Sequence, residues 1–419
     1  MSIFSSLTPE YRVRRLLPMS LADNQSSIAE AVEAGLISGA VTLVWHRGNV
    51  LQVNEIGQRD IEANLPMQRD TIFRIASMTK PVTVAAAMTL VEEGKLALTD
   101  PVSRWLPELA DMRVLIDPTG SLDNTVAARR PITIDDLMTH RSGLAYGFSV
   151  GGPISRAYGQ VSLRQDQDHW LAEVAALPLL HQPGERLTYS HGTEVLGIAL
   201  SRIEGKPLHV VLSERIFEPL AMTDTGFFIA PEARGRAATM YRLDDAGTLQ
   251  HDMMGPIPVK EPRFCQAGGG LVSTTDDYLR FARMLLGAGT VDGVRVLSEE
   301  SVQLMRTDRL TEEQKRQPFL GAPFWVGRGF GLNLSVVTDP AKSAQLFGAG
   351  GLGAFSWPGA YGTWWQADPA NDLILIYLIQ NYPDLNSAAA AAVAGNTSLA
   401  KLQSAQPKFV RRTYEALGL

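Results

Sequence analysis

Segments built like β-strands lie near both ends of this chain, and helical segments fill its middle. A chain arranged this way has to assemble one sheet from parts far apart in sequence. Residues 40–46 and 50–56 are rich in β-formers, and Arg47-Gly48-Asn49 reads as the turn between them. After residue 297 the same character returns. Residues 329–337, 344–348, 362–367 and 373–380 read as strands, bounded by Gly, Pro and Asp. Between the two ends, helical patterning is clearest at 194–203 and 276–286, among long Pro- and Gly-rich loops. Residues 27–36 read as a helix before the first strand, and 388–417 as an Ala-rich helical tail interrupted near Pro407. The expectation is an α/β (α+β) fold. Residues 25–97 and 298–419 would form a discontinuous α/β domain, residues 98–297 a mainly helical insertion, and a cleft would lie between them.

Composition narrows the class of function. With 419 residues, 45% apolar and 20% charged, the chain can bury a large core. A net charge of −6 gives no reason to expect nucleic acid or an anionic membrane surface as a partner. Cys265 is the only cysteine, which rules out an intrachain disulfide and suits a reducing compartment. The first residues lack a basic stretch followed by an apolar one, so no secretory signal is expected and a cytoplasmic location is. The densest apolar run, 373–379, falls well short of the ~20 residues that cross a bilayer and reads as a buried strand.

Chemistry enters at Ser77-Met78-Thr79-Lys80. The run from 71 to 76 is β-like, and 82–93 has helical periodicity closed by Gly94, so Ser77 falls where a strand gives way to a helix. Positions i and i+3 share a helix face, which lets the Lys80 ammonium approach the Ser77 hydroxyl, and the helix N-terminus favours negative charge there. A serine needs such a neighbour to become a nucleophile. The spacing alone is not specific: Ser398-Leu399-Ala400-Lys401 repeats it in the tail, where it reads as a solvated helix face. On position alone Ser77 is equally well read as a helix N-cap.

The phrase Phe73-Arg74-Ile75-Ala76-Ser77-Met78-Thr79-Lys80 resembles the first motif of the serine β-lactamase and penicillin-binding-protein superfamily. More specifically, it resembles the class C β-lactamase-like branch that includes the family VIII carboxylesterases. Residues 137–144, 183–190, 218–222 and 268–271 agree in order and spacing, and the resemblance runs from about 27 to 379. It implies a β-lactamase/transpeptidase-like fold, with an antiparallel sheet from both chain ends flanked by helices. It implies Ser77 as nucleophile, with Tyr189, matching the second motif Tyr-x-Asn, beside Lys80 as the general-base pair. Which of the two takes the Ser77 proton is open. It also implies an oxyanion hole from the backbone N–H groups of Ser77 and Ala360, with Gly359 allowing close backbone approach.

Two departures shape the expected substrate. His191 stands where the second motif has Asn. Trp357-Pro358-Gly359 stands where β-lactamases carry Lys-Thr-Gly, close to the Trp-Gly-Gly of family VIII esterases. Without that Lys, which helps hold a substrate carboxylate, neutral esters are favoured. Trp357, Gly359, Tyr146 and His191 are the expected substrate-binding residues. Phe148, Phe324, Trp325, Phe355, Trp364 and Trp365 are further aromatic candidates, and His140 reads as structural. A His-Glu-x-x-His motif and a Cys/His cluster are both absent from the sequence. Gly268-Gly269-Gly270 lacks the Lys-Ser/Thr of a phosphate loop and reads as tight packing beneath the cleft. No metal and no cofactor are expected. The reading is a serine hydrolase acting on small carboxylic esters. The alternatives are a β-lactamase, a D-amino-acid peptidase or an amide-oligomer hydrolase on the same site, and an inactive ligand-binding relative.

Overall fold

The first hairpin forms because Arg47 and Gly48 both take positive φ, 48° and 85°, which lets a two-residue turn follow the twist of its strands. The computed structural model describes residues 20–244, 246–252, 254–382 and 398–419. Strand Gly39–His46 pairs with Asn49–Asp60 on one side and with Leu373–Leu378, from the far end of the chain, on the other. The second pairing runs in register from Val41 against Leu378 to His46 against Leu373.

The eight-stranded sheet is antiparallel throughout. Its order is Arg328–Phe330, Ser335–Val337, Phe355–Ser356, Trp364–Asp368, Leu373–Leu378, Gly39–His46, Asn49–Asp60, Leu65–Pro66. Leu-Ile-Leu-Ile-Tyr-Leu at 373–378 is buried at every position because helices cover both faces, and a strand buried on both faces has no need to alternate. On one face Ala22–Glu33 and Ser398–Leu417 pack through Ile28, Phe409 and Val410. On the other lie Thr79–Glu92 and Thr275–Leu286. No helix among the described residues is long and apolar enough to cross a membrane.

Several elements differ from expectation. Residues 344–347 belong to helix Pro340–Phe347, which Gly348 ends: Asp339 caps its start by accepting from the Lys342 N–H, and Pro340 fits the first turn, a start signal stronger than the short apolar run. The single strand expected at 329–337 is a hairpin, turned at Asn333 with φ 55°. Of the β-like run before Ser77, Phe73–Arg74 pairs with Val272–Ser273 and Ile72 forms a single bridge to Ala237. Helix Thr275–Leu286, placed by sequence in the insertion, packs on the sheet with the Tyr278 ring 5.3 Å from that of Trp365. The tail helix Ser398–Leu417 continues through Pro407, and residues 388–397 of the expected helix lie outside the described residues.

Polar contacts pin this last helix as well. The Tyr414 hydroxyl donates to Asp368 and accepts from Gln366 Nε2 at 2.9 Å, and Asn24 donates to Thr413 at 2.7 Å. Tyr414→Phe removes one hydrogen bond each from a buried carboxylate, which keeps Gly351 and Asn371, and from a buried amide, which keeps Ala349 C=O. The expected loss is about 1–3 kcal/mol of unfolding free energy, read by urea denaturation. An unchanged midpoint would show that packing alone holds the helix.

Candidate active site

Ser77 lies at a strained turn. Strand Phe73–Arg74 is held by Val272–Ser273, Ile75 N–H donates to Leu271 C=O at 3.0 Å, and Ala76 then takes a positive φ of 44°. A non-glycine residue adopts that conformation only where its surroundings impose it. The chain turns at Ala76–Met78 and enters helix Thr79–Glu92, most of which is buried. Lys80 is thereby carried into the interior with 1% of its surface exposed. Its ammonium donates to Gly268 C=O at 2.6 Å and to Ser77 Oγ at 3.3 Å. It also lies 4.8 Å from the centre of the Tyr189 ring and 5.3 Å from that of Tyr146, so aromatic faces share in balancing a charge held out of water.

Tyr189 completes the group. Its hydroxyl donates to Ser77 Oγ at 2.7 Å, nearer than Lys80, and in turn accepts from the Trp357 indole N–H at 3.3 Å. The structure thus brings Ser77, Lys80, Tyr189 and Trp357 together. The sequence reading gave Trp357 as a substrate-binding residue and missed the indole donor. Trp357 is also 2% exposed and sits in an aromatic cluster with Phe319, Trp325 and Phe330, so it is core and wall at once.

Gly359 is where it is because nothing larger fits. A Cβ there would lie 2.0 Å from Thr363 Oγ1 and 2.4 Å from Ile75 C=O. Thr363 Oγ1 donates to Ile75 C=O at 3.2 Å, which docks the turn after Trp357 directly on the turn before Ser77. Among the described residues the Ala360 N–H is committed to no backbone partner. Ser77, Tyr189, Trp357, Gly359 and Ala360 line one cavity of about 370 Å³, whose remaining wall is largely apolar and includes Phe148, Phe319, Trp364, Ile379 and Leu402. A larger cavity, about 500 Å³, opens among Arg202, Lys206 and Cys265 and does not include the nucleophile.

Other expected binding residues lie elsewhere. Tyr146 and His191 are not on the cavity wall. Tyr146 donates its hydroxyl to both Glu194 oxygens, at 3.1 and 3.0 Å, and its ring packs against His191 with centroids 4.3 Å apart. His191 is 4% exposed, wedged between Tyr146 and Trp170, because the helix starting at Gly192 turns its side chain inward. Phe355 and Trp365 are sheet core, and Phe324 and Trp325 support Trp357 from behind. His140 is fully buried against Tyr189, with Nδ1 3.2 Å from Ser190 Oγ, a structural position.

Glu194 was not singled out from the sequence. It is buried beside the Tyr146 hydroxyl and the Gly268 N–H, and a Cβ on Gly268 would fall 2.5 Å from its Oε1. Burial holds its carboxyl above the usual range, and the Lys80 charge pulls the other way. Its one sequence signal was a carboxylate directly before the apolar run Val195–Leu200 of its helix.

The Beta-lactamase family model matches residues 25–396, and the chain belongs to the β-lactamase family. Its fold is that of the β-lactamases and transpeptidases. It is 70% identical to Protein Rv1367c of Mycobacterium tuberculosis, over 96% of this chain and 100% of that one. It is 31% identical to Esterase EstB of Burkholderia gladioli, over 83% of this chain and 87% of that protein. Among solved structures, EstCE1, described as a hydrolase with promiscuous acyltransferase activity, matches with a TM-score of 0.73 at 27% identity. That match covers 92% of this chain and 98% of EstCE1.

A pH effect follows from the buried imidazoles. Burial, then the Lys80 charge, pushes the His191 pKa down to about 3, and the same two causes lower that of His140. In the unfolded chain both protonate near 6.5, so below that pH the unfolded state binds more protons and stability falls. His191 alone accounts for about 2 kcal/mol by about pH 5. Urea denaturation at about pH 7.5 and about pH 5 should show a loss smaller by roughly that amount in His191→Asn. An equal loss in both proteins would contradict the assignment.

Proposed function

We propose that the protein is a carboxylesterase that works through an acyl-enzyme on Ser77. The observation that carries this reading is the indole N–H of Trp357 on the Tyr189 hydroxyl, beside a largely apolar cavity that contains Ser77. The third motif here supplies a neutral donor and an apolar wall, where a lactam-opening relative would supply an ammonium for the substrate carboxylate.

The chemistry runs in two halves. Once the Tyr189–Lys80 pair has given up one proton to solvent, the Tyr189 phenolate, the nearer of the two groups, accepts the Ser77 proton as Ser77 Oγ attacks the ester carbonyl. Lys80 over the ring and the Trp357 N–H both stabilise the phenolate that takes up that proton. The Ser77 and Ala360 amides receive the oxyanion, each worth about 2.7–4 kcal/mol by analogy with other acyl-transfer enzymes. The tetrahedral intermediate collapses, the alcohol leaves with the proton from Tyr189, and the acyl group remains on Ser77. Water then repeats the sequence and releases the acid. An acceptor alcohol in place of that water would make the protein an acyltransferase, a second reading that the likeness to EstCE1 favours.

p-Nitrophenyl butyrate should be hydrolysed in preference to nitrocefin, and Ser77→Ala should abolish the activity. Wild-type rates in Ser77→Ala would remove the nucleophile assignment, and a preference for nitrocefin would remove the ester reading. Adding a primary alcohol and measuring ester product separates hydrolysis from acyl transfer. Trp357→Phe keeps most of the packing and deletes the donor. It should cost about 10- to 100-fold in kcat/KM with the melting temperature little changed. Equal activity with a lowered melting temperature would reduce Trp357 to a core residue.

A further inference from the structure

The fold gathers three ligand-type side chains that the sequence keeps apart. His209 belongs to the short helix Leu208–Leu212, and Glu261 and Cys265 belong to the loop that runs into Gly268. Their ligating atoms all lie within 4.8 Å of one another, the one such trio among the described residues. His209 Nδ1 lies 3.1 Å from Glu261 Oε1, yet it is buried and has no hydrogen-bond partner among the described residues. A nitrogen and an oxygen that are close but not aligned on each other are placed as two ligands of one ion are placed. Around tetrahedral zinc, bonds of about 2.0–2.3 Å put neighbouring ligand atoms roughly 3.3–3.7 Å apart, so small side-chain adjustments close the site. Cys265 is 9% exposed, and with Glu261 it lines the cavity of about 500 Å³ that opens away from Ser77. That cavity provides an entry path and room for a water as fourth ligand.

We propose that His209, Glu261 and Cys265 bind one divalent cation of the zinc class. An imidazole, a carboxylate and a thiolate suit a borderline metal and exclude magnesium or calcium, which take oxygen ligands. Binding converts the Cys265 thiol to a thiolate and releases its proton to solvent, while the metal keeps its charge and no electron moves. The consequence reaches the active site through the chain. Ala267 C=O accepts from Thr83 Oγ1 at 2.7 Å, and Gly268 C=O accepts from Lys80 at 2.6 Å. A metal fastening Cys265 to His209 braces the segment that holds Lys80 in place.

Because Cys265 is the only cysteine, any thiolate–metal signal is its own. The full chain, freed of metal by a chelator, is titrated with Co²⁺ and then with Zn²⁺. One equivalent of cobalt should give a near-ultraviolet thiolate charge-transfer band and the visible bands of tetrahedral cobalt, both abolished when zinc displaces it. Cys265→Ser should lose the charge-transfer band, and His209→Ala and Glu261→Gln should each weaken binding by at least about tenfold. Glu261 is exposed, so its substitution serves even if His209→Ala fails to fold. One equivalent of zinc should also slow iodoacetamide modification of Cys265, read by intact mass, by at least about tenfold. No charge-transfer band at one equivalent overturns the proposal, as does wild-type affinity in Cys265→Ser or in Glu261→Gln.

Discussion

The ladder between Gly39–His46 and Leu373–Leu378 joins the two ends of the chain, and the turn that carries Gly359 and Ala360 takes its position from it. Leu373–Leu378 carries Trp364–Asp368 on its other edge, and the turn before Trp364 holds Gly359 and Ala360. That turn reaches the nucleophile through the contact between Thr363 and Ile75. Parts of the chain with no local relation thus meet so closely at Gly359 that an added Cβ would lie 2.0 Å from Thr363 Oγ1 and 2.4 Å from Ile75 C=O. Such precision depends on a sheet buried on both faces, because an edge strand or a half-solvated pair would move by more than the gap allows.

The site is built around one buried cation. Lys80 sits among two aromatic rings and two oxygen acceptors, with the Glu194 carboxylate beyond Gly268. Taking an ammonium out of water is costly unless its environment compensates. The glycine at 268 is part of that compensation, since a side chain there would displace Glu194. The glycine run that reads as tight packing from sequence therefore has a definite object: it brings backbone and carboxylate close enough to the lysine.

What could be read from sequence follows the range of the forces involved. The first hairpin, the helix behind Ser77 and the buried strand at 373–378 depend on local turn residues and periodicity, and the structure contains them with small boundary changes. The 344–348 segment misled because four apolar or small residues fit a strand as well as a helix, and the decisive Asp339-Pro340 start lies outside the window. The motif residues Ser77, Lys80 and Tyr189 could be named from their spacing and resemblance. The direction of the Trp357 indole, the inward turn of His191 and the burial of Glu194 depend on which side of a helix or turn faces the core. Adjacent residues do not record that.

Leu402, on the C-terminal helix, lines the same cavity as Ser77. The helix lies across the outer face of the sheet and is pinned there through Tyr414 to Asp368 and Gln366, so the wall it contributes comes from a segment remote in sequence from Ser77 and Tyr189. Substrate breadth and catalytic geometry are therefore written in different parts of the chain. A change at Leu402 would reshape that wall and leave the contacts among Ser77, Lys80 and Tyr189 as they are.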